Sequence, residues 1–277
     1  MNWRAIRAII TKDLQVALRS KAVVLPMVIV PLIVVLVLPA VIALAPAALE
    51  TAGTRLPTDD LDDLAELVAR APAGLQQELA EYDLTQAAIV LALTYLFAPF
   101  YLIIPLMVSS VIAADSFAGE KERKTLEALL YSPTSDTELL VAKLLAAWFP
   151  GLAVGIGSFV LYGGVANLAA WPVVGRVFFP NPMWLVLAFW VGPAMAALGL
   201  GATVLVSARV NTFQEAYQAG SLVVLPVIVL LVGQVSGLFY LHIGFVLVLG
   251  VVLWLIAGLL LWFGARTLRR NELLARL

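Results

Sequence analysis

The chain has 277 residues, of which 62% are apolar and only 13% charged, and its formal net charge is −1. A soluble domain carries about 45–50% apolar and about 25% charged residues, so there is too little polar surface here to clothe a water-soluble globule, and the composition is that of a polytopic membrane protein. The near-neutral balance offers no basic field for nucleic acid. The lack of Cys removes disulfides, thiol nucleophiles and Cys metal sites, and one His, His242, cannot build a His-based metal cluster.

Residues 1–21 read as an amphipathic helix. Trp3, Ile6, Ile10, Leu14 and the pair Ala17-Leu18 recur at helical spacing, while Arg4, Arg7, Lys12, Gln15 and Arg19 take the other face. Directly ahead of an apolar run, this pattern predicts an interfacial helix lying among headgroups. Six runs then meet the requirement of about 20 helical residues for a hydrocarbon core of about 30 Å: 22–46, 87–114, 139–168, 184–206, 219–240 and 244–265. They are continuously apolar and lack the alternation of barrel strands. The expected fold is an all-α bundle of six transmembrane helices in a single domain. Fourteen of the seventeen Lys and Arg residues fall on one side of these spans, with only Arg55, Arg70 and Arg176 on the other. Both termini are therefore expected in the cytoplasm.

The connections differ in character. Residues 47–86 form an acidic extracytoplasmic loop, with Asp59, Asp60, Asp62 and Asp63 ahead of Leu64, Leu67 and Val68, and with Leu75 and Leu79 opening a second short amphipathic stretch. Nothing there has calcium-loop spacing, so it reads as a solvated face. Residues 115–138 form a cytoplasmic loop holding Glu120, Lys121, Glu122, Arg123, Lys124 and Glu127 with the apolar Phe117, Leu126, Leu129 and Leu130. Pro133 stops that helix, and Ser135 with Glu138 opens the next as a capping box. A mixed-charge amphipathic helix suits docking on a soluble partner. Residues 207–218 form a further polar inner loop without a strong period.

The membrane interior is as informative for what it lacks. Away from their ends the six spans hold no Asp, Glu, Lys, Arg or His; their polar groups, such as Thr94, Ser109, Ser110, Ser158, Tyr162, Asn167, Thr203, Gln234 and Ser236, are neutral and read mostly as contacts between helices. Ion-coupled transport needs titratable groups within the bilayer. No GxxxxGK[ST] phosphate loop occurs either, so energy for active transport must come from another subunit. A non-transporting scaffold, or a secondary transporter or channel, stands as the alternative from pattern alone.

The run Gly119-Glu120-Lys121-Glu122-Arg123-Lys124-Thr125-Leu126-Glu127-Ala128-Leu129-Leu130, followed by Ser132-Pro133 and by Glu138-Leu139-Leu140 and Lys143, resembles the permease subunits of type-2 ABC exporters, in particular their sodium-efflux and drug-efflux branch. Lys124 stands where that family usually has Gly, and Ala142 where Gly precedes the Lys. Phe213-Gln214-Glu215-Ala216 with Pro226 further on is similar to the family's second inner loop. The resemblance implies a multi-pass protein of the prokaryotic cytoplasmic (inner) membrane that pairs with a second permease copy, as a homodimer or heterodimer, and sits on two ATP-binding subunits. ATP and Mg are then expected on the partner subunit, with no cofactor, metal or catalytic residue in this chain. It also implies that a coupling helix around Glu120–Leu130 meets the ATPase through Glu120, Lys121, Glu122, Arg123, Thr125, Leu126 and Leu129, with the first four its most exposed charges, aided by the interfacial helix at Trp3, Ile6, Ile10 and Leu14.

Overall fold

The computed structural model describes residues 2–51, 69, 73–125, 134–236 and 240–267, and all regular structure among them is helical. Helix α1 spans Trp3–Arg19 and starts where the Asn2 side chain accepts from the backbone N–H groups of Arg4 and Ala5, which satisfies donors that the first turn leaves free. Six helices long and apolar enough to cross a membrane follow: α2 (Lys21–Pro46), α4 (Leu84–Glu122), α5 (Asp136–Val174), α6 (Pro182–Ser207), α7 (Phe213–Gln234) and α8 (Ile243–Arg266). Between α2 and α4 lies the short α3 (Ala73–Leu79), whose Leu75 and Leu79 are buried against the bundle.

Helices α4 and α6 form the centre, α6 packing on α4 and α8, and α5 covering the other flank of α4. Small residues bring these rods together. A Cβ on Gly199 of α6 would stand 2.5 Å from the Leu106 carbonyl of α4, and one on Gly151 of α5 would stand 2.1 Å from Ser109 Oγ. By contrast Gly157 and Gly164 face open space, so not every glycine in the apolar runs is a packing position. The outward faces of α2, α7 and α8 are apolar, with Leu25, Ile29, Val229, Val232, Val248 and Leu255 all exposed. A surface of that kind is stable against hydrocarbon, where helices satisfy their own backbone.

Helix α4 contains π-type turns at Ala92–Leu96 and Asp115–Gly119. Such turns redirect backbone carbonyls away from the helix ladder. At the first one, three consecutive carbonyls each take a donor from a different helix. Leu93 accepts from the Tyr162 hydroxyl of α5 at 2.5 Å, Thr94 from the Trp184 indole of α6 at 2.6 Å, and Tyr95 from the Gln234 amide of α7 at 3.1 Å. These polar side chains thus join helices across the core.

The connections alternate between the two ends of the bundle. α1, the α4–α5 connection and the α6–α7 connection share one end: Lys121 donates to the Val210 carbonyl and Glu122 accepts from the Phe213 N–H. At the other end Arg176, after α5, pairs with Glu81, beside α3, at 2.9 Å. One expectation needs correction. A loop was expected from residue 115, yet α4 runs on to Glu122, because Asp115, Ser116 and Glu120 are buried and find partners on α1, α5 and Arg123 instead of turning to water.

Candidate functional site

The α1 end of the bundle holds a compact ionic junction built by three helices. Asp13 comes from the buried face of α1, Ser116 and Glu120 from the last turns of α4, and Lys143 from the third turn of α5. Lys143 is only 2% exposed and its Nζ donates to the Ser116 carbonyl and Glu120 Oε2, both at 2.6 Å, and to Ser116 Oγ at 3.1 Å. Asp13 Oδ2 lies 3.5 Å from the same ammonium and accepts from the Ser116 hydroxyl at 2.6 Å. Lys12 completes the set, pairing with Glu120 Oε1 and, at 2.9 Å, with Asp13 Oδ1. Two ammonium groups thus face two carboxylates, and the cluster is neutral as a unit. Removing one member of such a buried group leaves an uncompensated charge, which costs about 3–5 kcal/mol.

Burial alone would lower the Lys12 pKa, but its pairing with Glu120 and Asp13 outweighs that and holds it above the ordinary value. A raised cation contributes its stability fully below the unfolded pKa, about 10.4 for Lys, and loses it only as pH climbs through the folded value. The junction contributed by Lys12 is therefore intact throughout the neutral range.

Each residue of the 119–125 run has a distinct place. Gly119 leaves room for Arg123 to fold back on Asp115, Nη1 to Oδ1 at 2.8 Å, where a Cβ would crowd both groups. Burial works against the Arg123 charge, yet the Asp115 carboxylate raises its pKa on balance. Glu120 anchors the junction, while Lys121 and Glu122 hold the α6–α7 connection through Val210 and Phe213. Lys124 takes a left-handed conformation at φ 55°. The chain is closed there by N–H bonds from Lys124 to the Lys121 carbonyl (3.1 Å) and from Thr125 to the Glu120 carbonyl (2.9 Å), the two bonds of a Schellman helix end. At the start of α5, Ser135 and Glu138 form the expected capping box, and Glu138 Oε1 also accepts from the Asn2 N–H at 2.5 Å, which pins the beginning of α1.

The expected contact residues therefore separate. Glu120, read as one of the most exposed charges, is 4% exposed and internal, since its two oxygens are taken by Lys12 and Lys143. Lys121 is half-buried, and Glu122, Arg123 and Thr125 are exposed. Leu126 and Leu129 lie outside the described residues. On α1 the face turned to the bundle is Ile6, Ile9, Asp13 and Ala17, with Ile10 and Leu14 at its margin and Trp3 exposed. Sequence reasoning missed Asp13, Asp115 and Ser116. The available signal was Asp13 itself, a carboxylate four residues from both Ile9 and Ala17 on an otherwise apolar stripe, a place where a charge needs a partner.

Against this geometry stand the likenesses to known proteins. Residues 7–264 match the family model described as ABC-2 family transporter protein. The chain belongs to that family. It is also similar to the ABC transporter permease protein NatB of Bacillus subtilis (strain 168), 36% identical over 90 residues that make up 32% of this chain and 22% of that protein; the match spans less than a quarter of the relative's length. No solved structure matches. Membership of the ABC-2 transporter family, with six helices long and apolar enough to cross a bilayer, makes the chain a multi-pass membrane protein of that family.

Proposed function

We propose that this ABC-2 protein is the transmembrane subunit of an ATP-driven exporter, with the α1 end of the bundle in the cytoplasm and docked on two ATP-binding subunits, and with a second permease copy completing the pathway in the prokaryotic inner membrane. Fourteen of seventeen cationic side chains on that side support the orientation. The observation that carries the coupling reading is the junction itself. A push on exposed Glu122, Arg123 or the basic face of α1 would pass through Glu120 and Lys143, which tie α1, α4 and α5 together. ATP and Mg belong to the partner, and this chain supplies a rigid receiver and the path.

Purification from native membranes in mild detergent is expected to bring down a P-loop ATPase in equal stoichiometry, with measurable ATP hydrolysis. Glu122→Lys, at an exposed position, is expected to reduce that hydrolysis at least tenfold while the chain still inserts. Recovery of this chain with no ATPase would overturn the reading, and unchanged hydrolysis in the variant would remove Glu122 from the coupling surface.

A further inference from the structure

At the end of the bundle opposite the junction, α3, the start of α6 and residues Tyr240, Leu241 and His242 ahead of α8 line a cleft of about 600 Å³. We propose that this cleft binds a monovalent organic cation with an apolar body. Its walls are mostly apolar, with Leu75, Met183, Leu241 and Ile243, and two tyrosines, Tyr95 and Tyr240, stand among them. Among the described residues Glu78 supplies the one carboxylate of the lining, Asn181 and His242 are its other polar side chains besides the tyrosines, and no Lys or Arg lines the cleft. The neighbouring carboxylate Glu81 is already paired with Arg176, whereas among the described residues no cationic side chain reaches Glu78.

That carboxylate is held in place. Asn181 Nδ2 donates to the Tyr95 hydroxyl at 3.3 Å, and this hydroxyl donates to Glu78 Oε2 at 2.6 Å. Tyr95 is 6% exposed and rooted in the π-type turn of α4, so the anionic group is oriented from a rigid element. The volume lies within the range of small-molecule sites, which are mainly apolar with a few placed polar groups. An inorganic divalent ion would need six or more oxygen ligands, more than one carboxylate, one amide and two tyrosine hydroxyls provide. An anion would meet the Glu78 carboxylate, with no Lys or Arg among the described lining residues to offset it. A charged head near the Glu78 carboxylate and the tyrosine faces, with its hydrocarbon against Leu75 and Met183, matches the acidic and the apolar parts of the lining. The assignment does not depend on the exporter reading, since it concerns the opposite end and requires neither ATP nor a partner.

The test uses the full chain in detergent and benzyltrimethylammonium as probe, with its neutral carbon isostere neopentylbenzene as reference, both titrated calorimetrically. Saturable binding of the cation at least tenfold tighter than that of the isostere is expected. Glu78→Gln should erase this preference with unchanged thermal unfolding. Gly74→Trp, at a cleft position whose Cβ meets nothing within 4 Å, should fill the space and weaken both ligands. Absence of saturable cation binding to the unaltered chain, or equal binding after both substitutions, overturns the site. Either result leaves the presence or absence of a co-purifying ATPase to be judged separately.

Discussion

Lys124 carries a backbone angle that a glycine would adopt without strain. Among the described residues it alone, apart from a glycine, has a positive φ, and it occupies the left-handed position of the helix end at Glu122. An L-residue there meets its own carbonyl, at about 1–2 kcal/mol relative to right-handed backbone, a clash that glycine lacks. The exposed side chain gains nothing visible in return. Lys124→Gly is therefore expected to stabilise the protein by about 1 kcal/mol, read as a higher midpoint of thermal unfolding in detergent. A lower midpoint would mean that the turn is not held left-handed. The residues around it divide by burial and not by charge. Glu120 and Glu122, two positions apart and chemically alike, serve as an internal anchor and as an exposed strap on the next connection. That division could not be read from the run itself, because both anchors of Glu120 come from distant sequence: Lys12 lies 108 residues away and Lys143 lies 23 away.

Helix α4 is defined by what touches it. Its close approach to α6 depends on Gly199, and to α5 on Gly151, whereas Gly157 on α5 faces open space. Gly199→Leu is expected to force the helices apart and lower stability by about 1–3 kcal/mol or more, as overpacking does. Gly157→Leu should be tolerated within about 0.5 kcal/mol. Comparing unfolding midpoints of the two variants checks this, and equal losses would refute the packing described for α6. The apolar runs were legible as helices because twenty continuous apolar residues have few other stable forms in a bilayer. Their ends were less so. α4 continues past Ala114 through Asp-Ser-Phe-Ala-Gly-Glu, a stretch whose polarity reads as loop, and only the docking of α1 and α5 makes it a buried helix end. The same long-range pairing hid Asp13, which is separated from Lys143 by 130 residues.

For the molecule as a whole, sidedness is the property that orders everything else. Val177, 68% exposed beside the Glu81–Arg176 pair, and exposed Arg209 lie at opposite ends of the bundle. In whole cells, a single cysteine at Val177 should react with an impermeant maleimide, and one at Arg209 should react only after permeabilisation. The reverse pattern would place the ionic junction outside and remove the proposed ATPase contact. The six crossings followed from composition and hydropathy, and the family from the resemblance that the charged run carries. The division of that run into buried and exposed members did not, since it depends on how three separate helices meet.

One consequence follows from the length of α4. A helix of 39 residues is about 58 Å long at about 1.5 Å per residue, far more than the hydrocarbon thickness of about 30 Å. Tyr95 and Glu120 sit on this same rod, about 38 Å apart along its axis. Donors from three neighbouring helices hold α4 at the Leu93, Thr94 and Tyr95 carbonyls. A tilt of about 5° about that fulcrum sweeps the Glu120 end through about 3 Å, by the same rise per residue. For any given tilt, the travel of the Glu120 end is thus set by its distance along the rod from the carbonyls held near Tyr95.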